Sequence, residues 1–126
     1  MTVGQILDTL RQTPEFRDNV THWQVLPARP AQYVDFPSHL HPRLIAAVKQ
    51  MGISQLYSHQ GAALQALAAG RHVAVVTPTA SGKTLCYNLP VLNTVLSQPE
   101  ARALYLFPTK ALSQDQVAEL HDLVTI

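Results

Sequence analysis

The residues with the clearest chemistry are Thr77-Pro78-Thr79-Ala80-Ser81-Gly82-Lys83-Thr84. Glycine, lysine and a hydroxyl in that order suit one task, the cradling of a polyphosphate. The task needs a tight turn whose backbone N–H groups converge on the anion. A helix starting at the lysine adds the positive end of its dipole. Gly82 lets the backbone approach closely. Lys83 is expected to reach the β- and γ-phosphates of ATP, and the Thr84 hydroxyl to take a place on Mg²⁺. The general pattern is G-x-x-x-x-G-K-[ST], and this chain departs from it with Thr at position 77. A bare Gly-Lys-Thr tripeptide says little, so the assignment rests on its context between a strand and a helix.

Two other segments carry polar groups worth weighing. Tyr57-Ser58-His59-Gln60 places Gln60 23 residues before Lys83. Ser58 reads as a helix N-cap, which puts Gln60 in the first turn. Tyr57 and Gln60 are spaced to face the same way. A glutamine amide offers a donor and an acceptor, complementary to the N7 and N6 edge of adenine. From spacing alone, a solvated Gln beside a buried Tyr is the plainer reading. Pro108-Thr109-Lys110 opens a helix just after an apolar run. A hydroxyl, free helix amides and a lysine there could hold a phosphodiester. As a local pattern, a Pro-Thr-Lys helix start is common and does not by itself single out nucleic acid.

The elements that must position these groups follow from periodicity. His72-Val73-Ala74-Val75-Val76 and Ala103-Leu104-Tyr105-Leu106-Phe107 are short apolar runs without polar alternation. Such runs predict strands buried on both faces of a parallel sheet. Between them Leu85, Leu89, Leu92 and Leu96 mark the core face of a helix starting near Lys83. Pro90 inside it predicts a kink or an early end. A further helix from about Lys110 carries Val117, Leu120 and Val124 on one face. Strand, helix, strand, helix is a βαβα unit with a right-handed crossover. Upstream, a helix with Leu44, Ile45 and Val48 on one face is stopped by Gly52, and a second runs from Ser58 to Ala69 with Gly70 at its end.

Residues 1–41 read as an extension and 42–126 as the start of a nucleotide-binding lobe. The extension opens with short helices: Ile6, Leu7 and Leu10 share a face, and Thr13-Pro14 starts a second helix. Pro27, Pro30, Pro37 and Pro42 then predict an extended strap over a surface. Trp23, Tyr33 and Phe36 are its candidate anchors, and His39 and His41 are expected in solvent. The class is α/β, a partial P-loop NTPase lobe with parallel strands preceded by short helices and a Pro-rich extended segment.

Composition bounds the partners. Lys plus Arg is 9 and Asp plus Glu is 8, a net charge of +1. Charge alone therefore points to neither nucleic acid nor membrane. Charged residues make up 13%, against ~25% in a typical soluble domain, as expected of a chain whose surface is covered by further structure. A single cysteine, Cys86, excludes an internal disulfide and is expected to be an inert buried thiol. No apolar run reaches the ~18 residues of a membrane helix, and the N-terminus lacks the build of a signal peptide. The expectation is a soluble, cytoplasmic or nucleoid-associated chain.

In order, the three polar segments resemble motifs Q, I and Ia of superfamily 2 helicases of the DEAD/DEAH-box type. In that superfamily motif I often begins with Ala or Thr, as Thr77 does here. Thr-Pro-Thr-Ala-Ser-Gly-Lys-Thr-Leu-Cys-Tyr-Asn-Leu-Pro-Val-Leu, with Leu-Tyr-Leu-Phe-Pro-Thr-Lys-Ala-Leu-Ser-Gln-Asp-Gln, is similar to one branch in particular. Leu56-Tyr57-Ser58-His59-Gln60 is similar to it too. That branch comprises DNA helicases linked to DNA repair that bear a C-terminal four-cysteine zinc domain. The resemblance is specific across 56–116. It implies a RecA-like N-terminal lobe in which Gln60 reads adenine and Tyr57 lies near the base. It implies that residues 79–84 hold the phosphates of ATP and that Thr84 contacts Mg²⁺. Pro108, Thr109 and Lys110 would grip the backbone of a single-stranded or duplex nucleic acid, DNA by branch resemblance.

The same resemblance shows what this stretch lacks. No Asp-Glu pair occurs in the chain, whereas the family's second motif supplies an Asp for Mg²⁺ and a Glu for the attacking water. Phosphoryl transfer is catalysed by positioning and charge stabilisation. A chain of these residues is therefore expected to bind nucleotide weakly and turn over nothing without the remainder of the helicase core. Two other readings compete with an ATP-driven motor. A P-loop enzyme of another class, such as a small-molecule kinase, would prefer Gly at 77 and would not place Pro-Thr-Lys-Ala-Leu after the next strand. An inactive, truncated interaction module would fail to bind ATP.

Overall fold

The computed structural model describes residues 1–78 and 80–125. The chain divides into two compact units, Met1–Pro30 and Ala31–Ile126. The first holds helix α1 (Val3–Gln12) and the short helix α2 (Pro14–Arg17). Thr2 caps α1 reciprocally: the Gln5 N–H donates to Thr2 Oγ1 at 3.3 Å and the Thr2 N–H to Gln5 Oε1 at 2.8 Å. Thr13 and Pro14 start α2 as expected, although the Thr13 side chain makes no capping bond. Trp23 is held within this unit. The Arg11 guanidinium lies 4.3 Å from its ring centroid, and Phe16 meets it edge-on.

The second unit begins with the strap. Tyr33–Val34 forms strand β1, followed by helix α3 (Pro42–Gln50), strand β2 (Leu56–Tyr57) and helix α4 (Ser58–Ala68). Helices α5 (Lys83–Ser97) and α6 (Lys110–Thr125) complete it. Strands β1 and β2 pair antiparallel, Tyr33 opposite Tyr57 and Val34 opposite Leu56. The strap thus runs as more than a surface tether. Its Gln32 carbonyl also accepts from the Ser58 N–H at 2.8 Å, satisfying one of the free amides at the start of α4.

The core contains Leu40, Leu44, Val48, Leu56, Leu64, Leu89 and Leu123, with Phe36, Ile45, Leu85 and Leu92 packed against it. The apolar stripes of α3 and α5 lie where periodicity puts them, except that Leu96 is exposed. Gly52 and Gly70 follow α3 and α4 with φ of 87° and 72°, the left-handed conformation that ends a helix. Helix α5 does not end early at Pro90 but continues to Ser97. Proline removes one bond to the Cys86 carbonyl, and burial of Leu89 with Leu85 and Leu92 packed alongside offsets that loss. Asn93, one turn later, anchors the strap. Its Oδ1 accepts from the His41 N–H at 2.7 Å and its Nδ2 donates to the His39 carbonyl at 3.3 Å. His41 is not simply solvated: its Nδ1 accepts from the Arg43 N–H at 3.2 Å and caps α3.

The expected parallel strands are not seen, and the expected face of α6 is corrected. The runs 72–76 and 103–107 form no parallel ladder; the sheet among the described residues is the antiparallel pair β1–β2. Val76, Leu104 and Leu106 are 93%, 85% and 84% exposed. A strand apolar on both faces is stable only with neighbours on either side and layers above and below. Two such segments cannot supply that environment for each other. In α6 the buried residue is Leu123, while Val117 and Val124 are exposed. The helix is turned so that Ser113, Gln116, Leu120 and Leu123 face inward.

Candidate nucleotide site

Gly82 is the N-cap of α5, with φ 71° and ψ 31°. That left-handed turn swings the chain from the 77–81 loop into the helix. Ala80 also has a positive φ, 59°, a conformation an L-residue with a Cβ adopts only at some cost. Thr79 lies outside the described residues. Thr77 Oγ1 and Ser81 Oγ are 2.6 Å apart and close the loop across its mouth. The threonine that departs from the general pattern at position 77 is therefore used. The Lys83 ammonium donates to the Thr77 and Pro78 carbonyls at 2.8 and 2.7 Å. It lies within the curve of the loop, held by main-chain oxygens.

The first turn of α4 is tied to this loop. Its N-cap is Tyr57, one residue before the expected Ser58, which is the first helical residue. The capping acceptor comes from Gln60, whose Oε1 takes the Tyr57 N–H at 2.8 Å. The other end of the amide, Nε2, donates to the Gly82 carbonyl at 2.8 Å. Gln60 is only 2% exposed, so these bonds satisfy a buried polar group. One N–H and one lone pair of the amide remain beyond them. His59, assigned no role from its residue type, places Nε2 2.9 Å from the Ser81 carbonyl. The signal available for it was adjacency to Gln60. Tyr57 is part-exposed and stacks between partners, its ring centroid 5.3 Å from Tyr33 and 5.7 Å from His59.

Two clefts flank the loop. One of about 690 Å³ is walled by Ala80 to Thr84, Tyr87, Phe107 and Gln116. The other, about 470 Å³, is lined by Tyr33, Ile53, Tyr57, Gln60 and Gly82. The structure thus brings Tyr57, Gln60, Ala80, Ser81, Gly82, Lys83 and Thr84 to one place. Pro108, Thr109 and Lys110 are exposed at the start of α6, where Thr109 Oγ1 accepts from the Leu112 N–H at 3.3 Å. They line neither cleft.

The donors present fit a polyphosphate: an ammonium, the hydroxyls of Ser81 and Thr84, and the N-terminus of α5. Among the described residues no group of three His, Cys, Asp or Glu side chains could hold a metal ion. Among the described residues the Thr84 hydroxyl is a hard oxygen ligand at the start of α5, which suits a Mg²⁺ held mainly by phosphate and water. Below the loop, burial pushes the Cys86 thiol above its ordinary value of 9.0, against a backbone hydrogen bond and the Lys83 cation. Burial, with Tyr87 alongside, raises Tyr105 as well. The Tyr105 hydroxyl donates to the buried Asn88 Oδ1 at 3.1 Å.

A glycine-hinged loop thus opens helix α5, clamped by a buried glutamine from the first turn of α4. Residues 57–126 match the DEAD/DEAH box helicase family, and the chain belongs to that family. It is 48% identical over 107 residues to the uncharacterized ATP-dependent helicase YprA of Bacillus subtilis, spanning 85% of this chain and 14% of YprA. It is 35% identical over 115 residues to the ATP-dependent helicase HRQ1 of Saccharomyces cerevisiae, 91% of this chain and 10% of that one. The crystal structure of the DUF1998 helicase MrfA bound to DNA and AMPPNP superposes with a TM-score of 0.87 at 42% identity. That match covers 99% of this chain and 17% of MrfA. The chain thus spans less than a fifth of each of these relatives. No helix among the described residues is long and apolar enough to cross a membrane.

Proposed function

We propose that this chain is an ATP-binding segment of an ATP-dependent DNA helicase. The observation that carries the reading is the turn at Gly82, with Lys83 in the loop and Gln60 bonded to the loop's last carbonyl. The helicase MrfA, alike over nearly the whole chain, was solved with DNA and AMPPNP, which supports both ligands. In this reading Thr79 to Thr84 surround the phosphates. Lys83 exchanges the Thr77 and Pro78 carbonyls for the β- and γ-phosphates. Thr84 contributes its hydroxyl to Mg²⁺. Adenine lies beside Tyr57 and takes the remaining N–H and lone pair of the Gln60 amide. Pro108, Thr109 and Lys110 hold the phosphate backbone of a single strand at the start of α6.

Residues 42–126 would then be the N-terminal part of a RecA-like lobe, with 1–41 leading into it. The runs 72–76 and 103–107 would become parallel strands once further strands flank them, covering the apolar side chains they expose. The zinc domain of the branch would lie elsewhere in such a protein, which would work on DNA in the cytoplasm or at the nucleoid. Hydrolysis needs an acidic pair and a second lobe that these residues do not contain, so the segment by itself would bind nucleotide without turning it over. Titration with a fluorescent ATP analogue tests the reading. Saturable binding that Lys83→Ala weakens at least about tenfold is expected, given charge-assisted bonds to phosphate. Absence of binding, or robust ATP hydrolysis by these residues alone, would overturn it.

A further inference from the structure

Two adjacent side chains in the first turn of α4 hold two adjacent carbonyls of the loop. Gln60 Nε2 donates to the Gly82 carbonyl, and His59 Nε2 faces the Ser81 carbonyl. A carbonyl only accepts, so the proton of that second bond sits on His59 Nε2. No peptide bond among the described residues is cis. In a trans peptide the C=O and the following N–H point in opposite directions. Drawing the Ser81 carbonyl toward α4 therefore turns the Gly82 N–H away from α4. Drawing the Gly82 carbonyl does the same for the Lys83 N–H, the first amide of α5. Those two amides sit at the positive end of the helix, where an anion is best received.

The imidazole is itself oriented. Its ring lies nearly parallel to Tyr57, at 12°, and Tyr57 in turn stacks on Tyr33 of the strap. The Tyr33–Tyr57 pair is fixed by the β1–β2 register. A chain of contacts therefore runs from the strap to the peptide plane between Ser81 and Gly82.

We propose that His59 is a positioning residue for nucleotide binding: it locks the Ser81–Gly82 peptide so that its N–H faces a phosphate. It touches the loop and not the nucleotide, and its role rests on the nucleotide-binding reading given above. The donor at Nε2 carries the effect; the ring stack only aims it.

Two substitutions in the full-length protein separate donor from ring. His59→Phe keeps an aromatic ring against Tyr57 and loses the donor. His59→Gln loses the ring and keeps an N–H at a similar reach. Binding of a fluorescent ATP analogue is read by titration, with tripolyphosphate and adenosine as competitors. His59→Phe is expected to weaken the analogue and tripolyphosphate about three- to tenfold, the worth of one net hydrogen bond, and to leave adenosine unchanged. His59→Gln is expected to recover most of that loss. The role is overturned if His59→Phe binds tripolyphosphate like the unsubstituted protein, if adenosine weakens in parallel, or if His59→Gln is as weak as His59→Phe. No saturable binding to the unsubstituted protein would instead overturn the nucleotide-binding reading, and this role with it.

Discussion

Gly82 lies so close to Gln60 that a Cβ built on it would stand 2.6 Å from the Gln60 amide nitrogen. The position also has a φ of 71°, where an alanine costs about 1 to 2 kcal/mol. Gly82→Ala therefore faces two penalties, backbone strain and loss of the bond between Gln60 and the loop. We expect a lower unfolding midpoint and at least about tenfold weaker binding of an ATP analogue, from a strain and one charge-free bond together. Thermal melts and the same titration check both. An alanine variant that binds normally would mean that the loop tolerates a different turn.

Gly61 is the other glycine whose missing side chain is used. A Cβ there would meet Val34 Cγ2 at 2.5 Å, so the strap sits directly on α4. Gly61→Ala should destabilise the protein by about 1 to 3 kcal/mol through overpacking. Val34→Ala opens that space. The double variant should therefore recover part of the loss, a coupling that denaturant melts of all four proteins measure. Strictly additive effects would show that the strap does not rest on Gly61.

The turn into α5 was legible because its signal is local: Gly82, Lys83 and Thr84 adjoin one another, and a helix stripe follows them. Gly52 and Gly70 were legible for the same reason. The strap's pairing with Leu56 and Tyr57 was not, because a two-residue strand carries no period and its partner lies more than twenty residues away. His59 offered no signal beyond its adjacency to Gln60, because its partner is a main-chain carbonyl, which no residue type reveals. The segments 72–76 and 103–107 have the composition of buried strands, and composition reports the environment they suit. It cannot report whether neighbours are there to provide it.

The Cys86 thiol couples stability to alkaline pH. Its folded value is raised above 9.0, chiefly by burial. Below pH 9 the thiol is neutral in both states and the contribution is full. As pH rises past 9 the unfolded chain loses the proton first, so the unfolded state gains and stability falls. The unfolding midpoint of the unsubstituted protein should drop more steeply between pH 8 and 10 than that of Cys86→Ala. Equal slopes would show that the thiol ionises alike in both states. In the native protein at pH 8 the same burial should make the thiol slow to react with a disulfide reagent, and unfolding in urea should speed it.

Helix α6 distinguishes two neighbouring residues by which way the helix is turned. Leu123 is 5% exposed and belongs to the core, while Val124 is 62% exposed. Apolar spacing selects the stripe Val117, Leu120 and Val124. The inward face instead carries Ser113, Gln116, Leu120 and Leu123, and the Tyr87 hydroxyl bonds Gln116 Oε1 from α5. That bond fixes the rotation of α6 that an apolar count alone would set one residue off. Leu123→Ala should cost about 2 to 4 kcal/mol by transfer and cavity together. Val124→Ala should stay within about 0.5 kcal/mol. If denaturant melts rank them the other way, α6 is rotated by one residue. Gln116 would then no longer reach Tyr87, and Gln116→Leu would be close to neutral.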